Sequence, residues 1–213
     1  MTGTPVDLAT WDRAAQYHWF RGYERPHYAI TTRIDASHLM RCKRPGFSVF
    51  RACLWAIGAG LHAVPALRMR FDRSGTVTLF DRLDLSPTIA LESGDFRYTY
   101  IGWQPDAAAF DAEAAEKIAA VRQGQPLGAN DTRQDVAYLS CVPWMDYTSL
   151  DNALPGADDC IPRVGWGKIV PKAGGHDMAL TLQVHHALVD GRDCATCFAA
   201  VQTALDALSP QSN

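Results

Sequence analysis

Residues 179–208 change period partway along, and that change restricts the chain to folds in which strand and helix share one core. Positions 179–184 alternate strictly, as in a strand whose successive side chains point to opposite faces. After Asp190-Gly191, the residues Cys194, Cys197, Phe198, Val201, Leu205 and Leu208 recur at helical spacing and form one apolar stripe. The same two periods interleave upstream. Thr10 reads as the N-cap of a first helix that ends near Trp19-Phe20, and Pro26 then blocks helix. Residues 28–34 alternate as a strand, and after Gly46 the positions Phe50, Cys53, Leu54, Ile57 and Leu61 mark a second helix. A hairpin is expected over 67–71 and 76–80 around a turn at 72–75, followed by weaker strands at 87–91 and 96–101. Asp106 caps an Ala-rich helix whose stripe is Phe110, Ala114, Ile118 and Val121, and a loop follows over 124–132. Strands are expected at 136–142, where Pro143 ends the run, and at 164–170, with a turn at Gly174-Gly175. Helices mixed with hairpins and strands predict a two-layer α/β protein with a mixed sheet.

Composition narrows the partners. The 213 residues suit a single domain over 1–213, with short flexible ends at about 1–7 and 209–213. A formal net charge of -3 argues against a nucleic-acid-binding surface, which needs a basic excess or stripe. No apolar run reaches the roughly 18 residues that a membrane helix needs. Residues 1–15 lack the apolar stretch of a signal peptide, and six scattered cysteines form no dense disulfide framework, so a reduced, cytoplasmic setting is expected.

Chemistry concentrates in His185-His186-Ala187-Leu188-Val189-Asp190-Gly191. Alternation puts Leu180, Leu182, Val184 and His186 on an apolar face and Thr181, Gln183 and His185 on a polar one. At the end of a buried register, desolvation favours the neutral imidazole, the form a general base requires. The same pattern also fits a core histidine that satisfies its neighbours. Asp190, in the turn before the last helix, requires a cation if it is buried. Adjacent histidines on a strand face opposite ways and chelate poorly. Cys194 and Cys197 have C-x-x-C spacing but fall on the buried stripe, so no metal is expected.

The His-His-x-x-x-Asp-Gly run resembles that of chloramphenicol acetyltransferases, a pattern shared with peptide-synthetase condensation domains and related acyltransferases that are longer or carry accessory domains. Trp11-Asp12-Arg13 with Phe20, Ile34-Asp35, Pro65 to Met69, Pro143-Trp144 through Asp151, and Gly167-Lys168 resemble family segments in order and spacing. The likeness covers residues 8 to 208. It implies the fold of the CoA-dependent acyltransferases and direct acetyl transfer from acetyl-CoA to a hydroxyl of a small molecule such as chloramphenicol. It implies His186 as general base, Ser149 as oxyanion donor, and an Arg13–Asp190 ion pair that holds the catalytic loop. It further implies Trp19, Phe20 and Tyr28 in the acceptor pocket, Lys168 near a CoA phosphate, and a homotrimer with active sites between subunits. Three positions depart from the family pattern: Arg192 replaces an aromatic residue, Gly165 a threonine, and Ile169 an aromatic residue that some members carry. A relative of the same fold with another hydroxyl acceptor, and a non-catalytic trimer that binds CoA or a small molecule, are the competing readings.

Overall fold

The computed structural model describes residues 2–124 and 133–209, so the loop expected at 124–132 lies outside the described residues apart from Gly124. In chain order the elements are β1 (Gly3–Pro5), α1 (Ala14–Arg21), β2 (His27–Asp35), α2 (Ser37–Arg41) and α3 (Val49–Ala63). A 3-10 turn (Pro65–Arg68) leads into β3 (Met69–Phe71), β4 (Val77–Phe80), β5 (Asp84–Ala90), β6 (Phe96–Tyr98) and β7 (Ile101–Gly102). The remainder is α4 (Ala107–Arg122), β8 (Val136–Val142), β9 (Arg163–Gly167), β10 (Val170–Lys172), β11 (Gly175–His185) and α5 (Gly191–Asp206).

Eight of these strands form the main sheet. β10, β11, β9, β8, β5 and β6 follow one another, while β2 pairs with β11 and β7 with β5. The β5–β8 and β8–β9 pairs are parallel and the others antiparallel, which makes the sheet mixed as expected. A smaller antiparallel sheet, β1-β4-β3, joins the expected hairpin to residues 3–5, which pair with β4 instead of trailing free. One face of the main sheet carries Leu180, Leu182, Val184 and Trp166 into a core shared with α3 and α5. Gly60 lets α3 lie close on α5: a Cβ there would come within 2.8 Å of the Cys197 carbonyl and 2.5 Å of Val201.

The local expectations differ from the structure at both ends of the chain. Asp7, not Thr10, organises the first turn, accepting from Ala9 N–H at 3.0 Å and from the Thr10 hydroxyl at 3.2 Å. The helix itself starts only at Ala14. The segment 164–170 splits into β9 and β10, because Lys168 N–H leaves the ladder to bond the Met145 carbonyl at 2.8 Å. Asp106 caps α4 as expected, accepting from the Ala108 and Ala109 amides. The polar row Thr181, Gln183 and His185 does not meet solvent. It is buried under the segment 147–157: Tyr147 and Thr31 meet Thr181, Asp151 and Asn152 bond Gln183, and the Ala157 carbonyl bonds His185.

Candidate active site

β11 ends at His185, one residue before the imidazole expected at the end of its buried register. The chain then turns, with the Leu188 and Val189 amides both reaching the His185 carbonyl at 3.1 Å. His186 therefore leaves the sheet, anchored through its own N–H to the Pro26 carbonyl at 2.9 Å. Its half-buried ring stacks on Phe20, with centroids 3.9 Å apart, and leans on Tyr28 at 4.7 Å. Nδ1 lies 3.1 Å from the Val189 carbonyl. A carbonyl only accepts, so Nδ1 carries the proton and the lone pair of the neutral ring sits on Nε2. Among the described residues nothing bonds Nε2.

The deeply buried imidazole is its neighbour. His185 is 2% exposed, and burial first, then the nearby His27, pulls its pKa down to about 4. Nδ1 accepts from Ala187 N–H at 3.1 Å and Nε2 meets the Ala157 carbonyl at 3.0 Å, so the ring is a fixed Nε2–H tautomer. It braces the base of the turn that presents His186. Phe20 and Tyr28 thus pack against His186, whereas Trp19 points away, bonding Tyr23 at 2.7 Å, and is 67% exposed. Tyr28 reaches the Val189 carbonyl and the Cys194 thiol, and burial raises its phenol well above the usual range.

The ion pair expected between Arg13 and Asp190 is there with its emphasis shifted. Arg13 bonds Asp193 at 2.6 Å and reaches Asp190 only at 3.5 Å. Asp190 has a second task that explains this. It is the N-cap of α5, its carboxylate accepting from the Arg192 and Asp193 amides, while Asp193 accepts in return from Asp190 N–H. That reciprocal box satisfies donors that a helix start leaves open. The Asp193 amide first, then Arg13, holds the Asp190 carboxyl below its ordinary range. The pair is not buried within this chain, since the Asp190 side chain is 44% exposed. Asp193 was the residue missed; an acidic residue three positions after a capping Asp was the signal.

Ser149 lies on the opposite side of the sheet from α5, in the exposed segment that crosses the Thr181–Gln183 row. It forms no hydrogen bond among the described residues, so it caps no backbone. The cavity on this face, of about 620 Å³, is instead lined by Ser140, together with Ser86, Thr88, Phe96, Tyr138 and Trp144. Ser140 is held in the middle of β8, paired with Gly165, and its hydroxyl has no partner among the described residues. Around the end of β8 lies a second cavity of about 320 Å³, apolar where Val49, Phe50, Trp166 and Ile169 line it and flanked by Lys43 and Lys168. Cys141 borders both cavities. His186 lines neither.

The family model for chloramphenicol acetyltransferase matches residues 1–202. The chain belongs to the chloramphenicol acetyltransferase family. A chloramphenicol acetyltransferase of Campylobacter coli is 23% identical over 194 residues, covering 90% of this chain and 92% of its own. One from Staphylococcus aureus is 24% identical over 213 residues, covering 97% of each. A solved structure of a chloramphenicol acetyltransferase superposes with a TM-score of 0.86 at 24% identity, over 96% of this chain and 100% of its own. The protein is an acyltransferase of this type.

One of the departures from the chloramphenicol acetyltransferase pattern has a local explanation. At Gly165 a Cβ would come within 2.2 Å of Leu150 Cδ2, so the Leu150 side chain fills the space a threonine would occupy. Ile169 borders the smaller cavity. Arg192 is exposed on the first turn of α5. Cys194 and Cys197 are buried on α5, where burial raises both thiols, Cys197 to about 12. Zinc binding requires the thiolate, which this setting disfavours. Among the described residues, no group of three or more His, Cys, Asp or Glu side chains could hold a metal ion, and no helix is long and apolar enough to cross a membrane.

Proposed function

We propose that the chain transfers acetyl directly from acetyl-CoA to a hydroxyl of a small molecule, chloramphenicol or a similar compound, with His186 as general base. The observation that carries this is the His186 ring: clamped between Phe20 and Tyr28, with Nδ1–H held by the Val189 carbonyl, it leaves Nε2 free to accept a proton. Nε2 takes the acceptor's hydroxyl proton as that oxygen attacks the thioester carbonyl. The imidazolium then returns the proton to the departing CoA thiolate. Arg13, Asp190 and Asp193 position the turn.

His186 and the two cavities belong to different parts of the surface, and this supports a site completed between copies in a homotrimer, the ring of one copy facing the cavities of another. Trp144, 75% exposed, lines the larger cavity, where a subunit contact would cover it. The smaller cavity suits the pantetheine arm of acetyl-CoA, with Lys168 and Lys43 at hand for phosphate. The larger suits the acceptor, aromatic walls with a few polar groups being what such pockets use. The resemblance assigns the oxyanion donor to Ser149. The geometry favours a second reading, Ser140, because a preorganised donor belongs on a rigid element and Ser140 lines the cavity. Six free cysteines and acetyl-CoA dependence agree with a cytoplasmic setting.

The test follows thiol release from acetyl-CoA with chloramphenicol and a panel of hydroxylated antibiotics. His186→Ala should lose roughly 10²–10⁴-fold in turnover. Removing the oxyanion serine should cost about 10²–10³-fold, which separates Ser140→Ala from Ser149→Ala. Wild-type activity in His186→Ala would refute the base; no release by the wild type with any acceptor would favour a binding protein.

A further inference from the structure

Two donors share the carbonyl that orients the His186 ring. The Val189 carbonyl lies just ahead of the α5 N-cap, outside the helical ladder, and among the described residues no backbone N–H reaches it. It accepts from His186 Nδ1–H at 3.1 Å and from the Tyr28 hydroxyl at 3.3 Å. The Tyr28 oxygen also lies 3.6 Å from Cys194 Sγ. Burial raises both the phenol and the thiol, so both keep their protons. A phenol has a single proton to give, and with that proton on Val189 the thiol donates to the phenol oxygen. The order is therefore Cys194 S–H to Tyr28, Tyr28 O–H to Val189, and His186 Nδ1–H to the same carbonyl, which has a lone pair for each donor.

Stacking on Phe20 at 3.9 Å sets the plane of the His186 ring but not which edge faces the Val189 carbonyl. A half-turn about Cβ–Cγ keeps the stack and exchanges the edges, since a torsion of this kind is close to two-fold. The carbonyl tells the edges apart, but a carbonyl held by the ring alone would move with it. Tyr28 ties it independently to the sheet, from a position on β2 paired with Val184 of β11. We infer that Tyr28 is a positioning residue: its hydroxyl pins the Val189 carbonyl, so that the proton of the neutral ring stays on Nδ1 and the lone pair on Nε2. This rests on the acyl-transfer reading with His186 as base.

Tyr28→Phe keeps the ring that leans on His186 and removes only the hydroxyl. Heteronuclear NMR of histidine-labelled protein, at a pH well above the imidazole range, reads which ring nitrogen carries the proton; the His186 signal is the one absent from His186→Ala. The wild type should show Nδ1–H alone, and Tyr28→Phe a mixture with Nε2–H. With acetyl-CoA and chloramphenicol, or the fastest alcohol of the antibiotic panel, kcat and kcat/KM should both fall about 3- to 10-fold, the worth of one neutral hydrogen bond, with each KM unchanged. A Tyr28→Phe protein whose His186 stays wholly Nδ1–H would overturn the inference, and a lowered Tm beside that result would assign the hydroxyl to the fold. A mixed tautomer with kcat unchanged would overturn it equally. A wild type that acetylates no acceptor would sink the acyl-transfer reading itself, while the tautomer comparison, which needs no turnover, still decides what Tyr28 holds.

Discussion

His185 makes the turn that carries His186 sensitive to acid. Both ring nitrogens are committed, Nδ1 as acceptor from Ala187 N–H and Nε2 as donor to the Ala157 carbonyl, so a second proton would confront an N–H. Burial lowers the folded pKa to about 4, against an unfolded value near 6.5. The unfolded chain therefore binds more protons between those values, and stability falls as pH drops through 6.5, levelling off below 4. For this one group the loss between pH 7.5 and 5.0 works out at about 2 kcal/mol. His62 is shifted the same way by burial and adds its own share. Comparing wild type with His185→Asn cancels that share, since the asparagine oxygen still accepts from Ala187 but cannot take up the proton. At pH 7.5 the variant should be less stable by about 1–3 kcal/mol for the lost bond and packing. By pH 5.0 that gap should close by about 2 kcal/mol, read as urea midpoints at the two pH values. A gap that stays constant with pH would refute the assigned tautomer.

Other outcomes follow from single contacts. Asp193→Ala removes both the 2.6 Å bond to Arg13 and half of the capping box, and should cost about 1–2 kcal/mol, matching or exceeding Asp190→Ala in thermal unfolding. Equal stability of Asp193→Ala and wild type would return the principal role to Asp190. Gly60→Ala drives a methyl against the Cys197 carbonyl and should cost about 1–3 kcal/mol by denaturant titration, with no loss expected only if α3 and α5 can part. Lys168→Ala together with Lys43→Ala should raise the KM for acetyl-CoA about tenfold while leaving the KM for the acceptor in place, the value of two exposed phosphate contacts; an unchanged KM would move CoA elsewhere.

Where physical causes are local, the sequence was readable. The Asp106 cap, the α4 stripe and both bounds of β8 emerge as expected, because a capping carboxylate, a 3.6-residue period and a terminating Pro143 act within a few residues. β1 could not be read, since its three residues become a strand only by pairing with β4 far along the chain. α2 is a single turn of five residues, too short to show a period. Alternation in β11 identified its two faces but not what covers them, because a polar row under a loop and a polar row in water have the same pattern. For the same reason Ser140, on the polar side of β8, drew no notice, and the burial expected at His186 fell on His185 when the strand ended one residue early.

In the proposed trimer, His186 of one copy works with the oxyanion serine of another. Mixing His186→Ala protein with whichever of Ser140→Ala and Ser149→Ala loses turnover, and refolding them together, gives hybrid trimers in which some interfaces pair an intact ring with an intact hydroxyl. If the site is shared, random assortment should restore about one quarter of wild-type thiol release. A mixture no more active than its two components would place both residues' work within a single copy and contradict the shared site.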